Sequence, residues 1–166
     1  MSLKLPDAEQ LVSALAAQIK PRLDSSTALI GIHTGGAWIA QKLQQQLGLT
    51  TPFGLLDISF YRDDFARIGL HPQVKPSNIP FDVEGRRIIL VDDVLYTGRT
   101  VRAAMNELFD YGRPASIELA VLIDRGGREL PVFARYSGAT LELADNQNIE
   151  LKKDKDGKLS LCLNQT

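Results

Sequence analysis

The sequence predicts an α/β fold in which helices flank a central parallel sheet. Residues Ile88 to Val91 form an apolar run without polar alternation, which is typical of a strand covered on both faces. The order strand, glycine-containing loop, helix occurs twice, beginning at Ala28 and at Ile88. A further apolar strand, Ser116 to Ile123, follows the second helix. Because strands that alternate with helices pair in parallel, these observations indicate one sheet with helices above and below it.

The amino-terminal half is predicted to hold two helices and two strands. The boundaries come from punctuating residues, since Asp7 is suited to cap a helix and Pro21 and Gly48 to end one. The predicted elements are a helix from Ala8 to Ile19, a strand from Ala28 to Ile32, a helix from Ala37 to Leu47 and a strand from Phe53 to Phe60.

The carboxyl-terminal half is predicted to alternate in the same way and then to end in short strands. The helix from Thr100 to Tyr111 carries one apolar stripe and ends at Gly112. After the strand at Ser116 to Ile123, short strands are expected at about 140–143, 148–152 and 158–163. Asp154 to Gly157 is typical of a hairpin turn between the last two strands.

The stretch that follows Ile88 to Val91 carries the strongest functional signal. Asp92 and Asp93 are adjacent carboxylates at the end of a buried strand, which is where ligands bind in open parallel sheets. The turn from Tyr96 to Thr100 supplies hydroxyls, a glycine and the N–H groups that open a helix, a combination suited to phosphate. Acceptors for hydroxyl groups beside donors for phosphate predict a sugar phosphate as the ligand.

Composition limits the alternatives. The chain has 166 residues, enough for one core, and we expect a single domain over residues 1–166. The formal charge of −1 at pH 7 does not indicate a nucleic-acid or membrane partner. The single cysteine excludes an intrachain disulfide. No apolar run of membrane-spanning length and no signal-peptide pattern occurs, so a cytoplasmic protein is expected.

The segment from Val91 to Thr100 resembles the phosphoribosyl pyrophosphate (PRPP) binding motif of type I phosphoribosyltransferases. Within them it is most similar to the PyrR family of bifunctional pyrimidine regulatory proteins, in which a Tyr such as Tyr96 replaces the Asp usual in purine salvage enzymes. Three further stretches carry the same resemblance: Asp57 to Asp64, Asn78 to Pro80, and Leu119 to Pro131.

The resemblance implies a type I phosphoribosyltransferase fold, with a flexible lid loop at about residues 61–84 and a small hood of C-terminal strands at about 140–163. It implies conversion of uracil and PRPP to UMP and pyrophosphate, together with pyrimidine-responsive regulation of transcription through an mRNA leader. It also implies Mg²⁺ that is carried by PRPP and lies near Asp92 and Asp93, with no direct metal ligand from the protein, and a homodimer or larger homo-oligomer.

The resemblance also assigns residues to roles. The expected catalytic residues are Asp92, Asp93 and Arg62, the last as a lid cation on pyrophosphate. The expected substrate-binding residues are Ile88, Ile89, Leu90, Val91, Val94, Leu95, Tyr96, Thr97, Gly98, Arg99 and Thr100 of the motif, His33, Thr34, Gly35 and Gly36 of the first loop, and Asp124 and Arg125 at the nucleobase. The expected RNA-binding residues are Arg125, Arg128 and Arg135.

One loop departs from the family pattern. The chain has His33, Thr34, Gly35 and Gly36 where the family usually has a basic residue, Thr, Arg and Gly. Each missing guanidinium contact is worth about 1 to 3 kcal/mol, so PRPP binding weakens by about one or two orders of magnitude unless Mg²⁺ or another arginine substitutes. The alternative reading is therefore a weakly active or non-enzymatic nucleotide sensor that binds mRNA. A phosphoryl-accepting receiver domain also uses an acidic pair, but the turn after Asp93 fits it poorly.

Overall fold

The computed structural model describes residues 3–58 and 77–166. Three α-helices and seven strands occur in these two ranges. They are α1 (Ala8–Ile19), β1 (Thr27–Ile32), α2 (Gly35–Leu47), β2 (Gly54–Leu56), β3 (Arg87–Leu95), α3 (Arg99–Leu108), β4 (Ser116–Asp124), β5 (Tyr136–Thr140), β6 (Gln147–Lys153) and β7 (Leu159–Gln165). Short 3₁₀ turns follow α1 at Lys20–Arg22 and α3 at Phe109–Tyr111.

The central sheet contains five parallel strands in the order β2-β1-β3-β4-β5. The predicted parallel α/β architecture is confirmed. Strands β6 and β7 form a separate antiparallel hairpin that contacts α1, as expected for the C-terminal hood. In this strand order the chain reverses direction across the sheet between β1 and β3, so a ligand crevice is expected beyond the carboxyl ends of these two strands.

Both faces of the sheet are covered by apolar side chains. One face packs against α1, α2 and the hairpin, with Leu15, Leu29 and Leu43 among its fully buried residues. The other face packs against α3, with Leu90 and Leu108 among its buried residues. This double burial explains why the central strands read as continuous apolar runs rather than as alternating ones.

The two neighbours of β3 follow it for different lengths. The ladder with β1 ends at the pair Gly31 and Val91, whereas the ladder with β4 continues to the pair Leu95 and Asp124. Asp92 and Asp93 therefore lie inside β3 as it pairs with β4, but beyond the end of its pairing with β1. The opening on the β1 side is what gives the acidic pair access to the crevice.

Four predicted boundaries need correction. Strand β3 extends through the acidic pair to Leu95, α3 ends at Leu108 rather than Tyr111, and β2 is only three residues long, although residues 59 and 60 of its predicted range lie outside the described residues. The strand expected at 140–143 is instead β5, Tyr136–Thr140, and it belongs to the central sheet. Its small residues explain the error, because a Cβ added at Gly138 would lie 2.6 Å from the Leu122 carbonyl oxygen on β4.

Within residues 3–58 and 77–166, no helix has both the length and the apolar character needed to cross a membrane.

A half-buried polar cluster joins three strands at the edge of the sheet opposite the crevice. Glu118 on β4 accepts hydrogen bonds from Arg87 Nε on β3 (2.9 Å) and from the Tyr136 hydroxyl on β5 (2.6 Å). Burial by itself would raise the pKa of Glu118, but the hydrogen bonds from Tyr136 and Arg87 outweigh it and hold that pKa below its usual value. The carboxylate is therefore charged at neutral pH and fixes the register of β3, β4 and β5.

We predict that Glu118→Ala lowers the free energy of unfolding by about 2 kcal/mol, because it removes the half-buried carboxylate that accepts from both Arg87 and Tyr136 and leaves Arg87 only one carboxylate, the more distant and exposed Asp24 at 3.8 Å. Glu129→Ala is the matched control, since it also breaks an arginine–glutamate pair. The side chains of Arg99 and Glu129 are 57% and 52% exposed, against 17% and 12% for Arg87 and Glu118. The control should cost less than about 0.5 kcal/mol. Urea unfolding at pH 7 measures both, and equal losses would contradict the structural role of the cluster.

Candidate functional site

The acidic pair is held rigidly by the backbone of its own strand. Asp92 is only 6% exposed, and its Oδ1 accepts the Asp93 N–H at 2.9 Å. Oδ1 of the half-buried Asp93 accepts the Val94 N–H at 2.8 Å. These bonds fix each carboxyl group in orientation, and the remaining oxygen of Asp93 faces the first turn of α2.

The loop between β1 and α2 forms the second wall of the crevice. Its position is set by the His33 N–H, which donates to the Leu56 carbonyl on β2 at 2.9 Å. The peptide bond between His33 and Thr34 is cis. Thr34 precedes α2 without capping it through its side chain, and it is exposed.

Two glycines let this loop pack directly onto the acidic pair. A Cβ added at Gly35 would lie 2.3 Å from Asp93 Oδ2, and one added at Gly36 would lie 2.2 Å from the Val91 carbonyl oxygen. Any larger residue would meet the carboxylate or the backbone of β3. These two glycines of the predicted substrate-binding loop therefore also place the first turn of α2 against the carboxylates.

The predicted phosphate loop joins β3 to α3. Gly98 has a φ of +94°, which favours glycine, and it is followed directly by α3. The Thr97 hydroxyl accepts the Arg99 N–H at 3.2 Å, whereas Thr100 lies in the first turn of the helix. The loop thus offers N–H groups at the positive end of a ten-residue helix, the arrangement that binds phosphate groups.

The end of β4 borders the phosphate loop, and Asp124, which was expected at the nucleobase, forms an ion pair within the protein. Asp124 binds Arg128 rather than Arg125, with 2.6 Å between Oδ2 and Nη2. Partial burial would raise the pKa of Asp124, but the hydrogen bonds from Arg128 and from the Gly126 N–H outweigh it and lower that pKa. Arg125 instead lies over the ring of Tyr96, with 4.0 Å from Cζ to the ring centre.

The other predicted site residues differ in how far their side chains are exposed to solvent. Ile88, Ile89, Leu90 and Val91 are fully buried between the helical layers, so their side chains support the site from the core instead of contacting substrate. Leu95 is also buried, Val94 is half-buried, and Tyr96 is 44% exposed beside the loop. Arg62, the expected lid cation, lies outside the described residues, as does most of the expected lid at 61–84.

The predicted RNA-binding arginines do not form one surface group. The guanidinium of Arg128 donates to Tyr96, Asp124 and Val132 within the protein. Arg135 is exposed and lines a separate cleft of about 370 Å³ between α3 and the connection from β4 to β5.

The sequence did not predict the contacts between the phosphate loop and the connection from β4 to β5. Glu129 and Leu130 donate backbone N–H bonds to the Thr97 carbonyl, at 2.9 and 3.2 Å. The Glu129 side chain also pairs with Arg99 at 3.2 Å. Backbone contacts of this kind leave no signal in side-chain pattern.

No group of three histidine, cysteine, aspartate or glutamate side chains in the described parts of the chain is arranged to hold a metal ion. The site does offer the two carboxylates of Asp92 and Asp93. Mg²⁺ is commonly bound by one or two carboxylates together with waters and substrate phosphates, so these residues fit an ion that arrives with a phosphorylated substrate.

Comparison with known proteins gives one family. Residues 3–153 match the phosphoribosyl transferase domain family. The chain is 50% identical over 163 residues to the bifunctional protein PyrR of Pseudomonas fluorescens, covering 96% of this chain and 97% of the relative. It is 56% identical over 143 residues to the bifunctional protein PyrR of Nitrosococcus oceani, covering 85% of this chain and 81% of the relative.

Solved structures give the same fold at lower identity. A hypoxanthine-guanine phosphoribosyltransferase from Bacillus anthracis superposes with a TM-score of 0.66 at 21% identity, covering 85% of each chain. A hypoxanthine phosphoribosyltransferase from Staphylococcus aureus superposes with a TM-score of 0.65 at 20% identity, covering 90% of this chain and 81% of that one. At these identities the likeness supports the fold alone.

We predict that Gly35→Ala reduces catalytic turnover at least about tenfold without unfolding the protein, since the new methyl group must displace the Asp93 carboxylate from its position. Gly85→Ala is the control, because a Cβ there has nothing within 4 Å. The control strains a left-handed residue, so it should lower the melting temperature and leave turnover unchanged. Steady-state kinetics of phosphoribosyl transfer measures turnover in both variants, and thermal unfolding measures their melting temperatures. The two measurements separate a loss of activity from a loss of stability. Wild-type turnover in Gly35→Ala would contradict the packing argument.

Proposed function

This chain belongs to the phosphoribosyl transferase domain family and within it to the bifunctional PyrR proteins, and we propose on that premise that it converts uracil and PRPP to UMP and pyrophosphate. The observation that carries the proposal is the juxtaposition of two loops at the carboxyl edge of β1 and β3. The loop between β3 and α3 offers N–H groups at the start of α3. The loop between β1 and α2 contacts the Asp93 carboxylate at Gly35, and the acidic pair lies between the two loops.

The ribose 5-phosphate half of PRPP is assigned to the loop from Tyr96 to Thr100. Its Thr97 and Thr100 hydroxyls and the N–H groups that open α3 are donors for phosphate oxygens. The pyrophosphate half is assigned to the loop from His33 to Gly36. Asp92 and Asp93 are assigned to the ribose hydroxyls, which lie between the two phosphorylated ends of PRPP, as acceptors of their hydrogen bonds.

The reaction follows from this placement. The bond between C1 of the ribose and the pyrophosphate oxygen breaks, and the electron pair leaves with pyrophosphate. Positive charge then builds on the ribose ring, and the carboxylates of Asp92 and Asp93 stabilise it through the ribose hydroxyls. N1 of uracil attacks C1 from the opposite face, its proton passes to the departing pyrophosphate or to water, and UMP forms. Mg²⁺ bound to PRPP would lie near Asp92 and Asp93 and would neutralise charge on the departing pyrophosphate.

The nucleobase is assigned to the region beside Tyr96 and Arg125, where the aromatic ring and the guanidinium are stacked. Asp124 contributes indirectly, because its carboxylate is committed to Arg128. Arg62 is kept as the proposed cation of the lid on the strength of the family resemblance alone.

We predict that Asp93→Asn lowers turnover by about a hundredfold or more, because it removes a charge that acts only as the ribosyl cation forms. The assay is conversion of radiolabelled uracil to UMP with PRPP and Mg²⁺. Asp145→Asn, an exposed aspartate before β6, is the control that removes one negative charge elsewhere, and its turnover should match the wild type. No UMP from the wild type, or full turnover in Asp93→Asn, would count decisively against the proposed mechanism.

A second function is favoured by the word bifunctional in the names of the PyrR relatives. We propose that the chain also senses UMP or PRPP and regulates transcription of pyrimidine genes by binding their mRNA leader. Among the three arginines considered for this role, Arg135 is exposed, whereas Arg128 directs its guanidinium inward. A phosphate contact to RNA is therefore assigned first to Arg135.

We predict that the chain binds the leader RNA of its own pyrimidine operon in gel-shift titrations, with affinity that changes on addition of UMP. Arg135→Gln should weaken binding at every salt concentration and reduce the slope of log affinity against log salt by about one. Lys20→Gln, a charge change at the exposed end of α1, serves as the control. The absence of salt-dependent RNA binding by the wild type would remove the regulatory proposal and leave the enzymatic one intact.

A further inference from the structure

The phosphate loop is held in place by hydrogen bonds to its carbonyl groups from the connection between β4 and β5. The Tyr96 carbonyl accepts from Arg128 Nη1 at 2.9 Å. The next carbonyl, that of Thr97, accepts the N–H groups of Glu129 and Leu130. Two successive peptide groups of the loop are therefore turned with their oxygens toward the same connection.

The orientation of these carbonyls decides the orientation of the N–H groups. Among the described residues, the only cis peptide joins His33 and Thr34, so the peptides from Tyr96 to Gly98 are trans. In a planar trans peptide the C=O of one residue and the N–H of the next point in opposite directions. The Thr97 and Gly98 N–H groups consequently point away from the connection and toward the open side of the loop. That side is where a phosphate reaches the start of α3.

Arg128 is suited to hold such a peptide because its guanidinium is fixed by other bonds. Nη2 donates to Asp124 at 2.6 Å and Nε donates to the Val132 carbonyl at 3.0 Å. The Arg128 and Asp124 side chains are only 24% and 22% exposed, so the pair is largely shielded from water. The planar fork of arginine can satisfy all three partners at once, which a lysine ammonium on a flexible stem cannot do in the same geometry.

We propose that Arg128 is a positioning residue for the 5-phosphate of the ribose, acting through the Tyr96–Thr97 peptide and not by touching the ligand. By binding the Tyr96 carbonyl, it presents the Thr97 N–H to the phosphate before the ligand arrives. The inference rests on the proposed assignment of this loop to the 5-phosphate. It differs from the expectation that Arg128 contacts RNA, because each of its three guanidinium nitrogens donates to a partner inside the protein.

Calorimetric titration of Arg128→Gln with UMP and, separately, with pyrophosphate tests the proposal. UMP carries the 5-phosphate, whereas pyrophosphate is assigned to the loop from His33 to Gly36. Affinity for UMP should fall about tenfold or more, since a charge-assisted hydrogen bond is lost from the loop that binds it. Affinity for pyrophosphate with Mg²⁺ should stay within about twofold of the wild type. Arg113→Gln, an exposed arginine at the opposite edge of the sheet, is the control and should bind both ligands normally.

Arg128→Lys keeps the charge and provides a second test if Arg128→Gln does not fold. It should bind UMP more weakly than the wild type, because a lysine cannot hold Asp124, Tyr96 and Val132 together. Wild-type UMP affinity in either variant overturns the inference, and so does an equal loss of UMP and pyrophosphate binding, which would indicate a general structural role. If the wild type binds no UMP, the proposed function fails first, so the two failures are distinguishable.

Discussion

The close packing of the first turn of α2 against β3 is the constraint on which the site depends. Gly35 and Gly36 bring helix backbone to within contact of the Asp93 carboxylate and the Val91 carbonyl. This contact is available only because the ladder between β1 and β3 stops at Gly31 and Val91. Continued pairing would fill the gap with strand, whereas a bulkier first turn would hold α2 away from the carboxylates. Strand order, register and two small residues thus jointly create one crevice.

In the proposed function the same crevice accepts PRPP, which is anionic at both ends, while two carboxylates lie at its centre. The structure separates these demands along the chain. Backbone N–H groups and hydroxyls occupy the two loops, and the carboxylates sit at the strand end between them, each with an oxygen occupied by a neighbouring N–H. Backbone donors carry partial positive charge without a mobile side chain, so they can face phosphate while remaining fixed relative to Asp92 and Asp93.

The sequence allowed the local features of the site to be predicted, and it missed those that depend on distant contacts. The run from Ile88 to Thr100 holds strand, acidic pair and phosphate loop in consecutive residues, so its pattern could be read directly. The ion-pair partner of Asp124 could not be predicted, because Arg125 and Arg128 are both close to it in sequence. Only the path of the connection between β4 and β5 brings Arg128 to Asp124. Strand β5 was misplaced for a related reason, since Gly138 is tolerated there by close contact with β4 rather than by strand propensity.

The two halves of the crevice differ in how much of their binding is built in advance. At the phosphate loop the carbonyls of Tyr96 and Thr97 are already bound by the β4–β5 connection, so little conformational freedom remains to be lost when a phosphate arrives. The loop from His33 to Gly36 is the one that the proposed function assigns to pyrophosphate. It supplies hydroxyl and backbone donors, where the family usually has an arginine. Under the proposed function, the positive charge that offsets pyrophosphate would then come mainly from Mg²⁺ bound to it. The two loops therefore differ in how their donors are held: those at the start of α3 are fixed by bonds from the β4–β5 connection, whereas those of the loop from His33 to Gly36 act without an arginine.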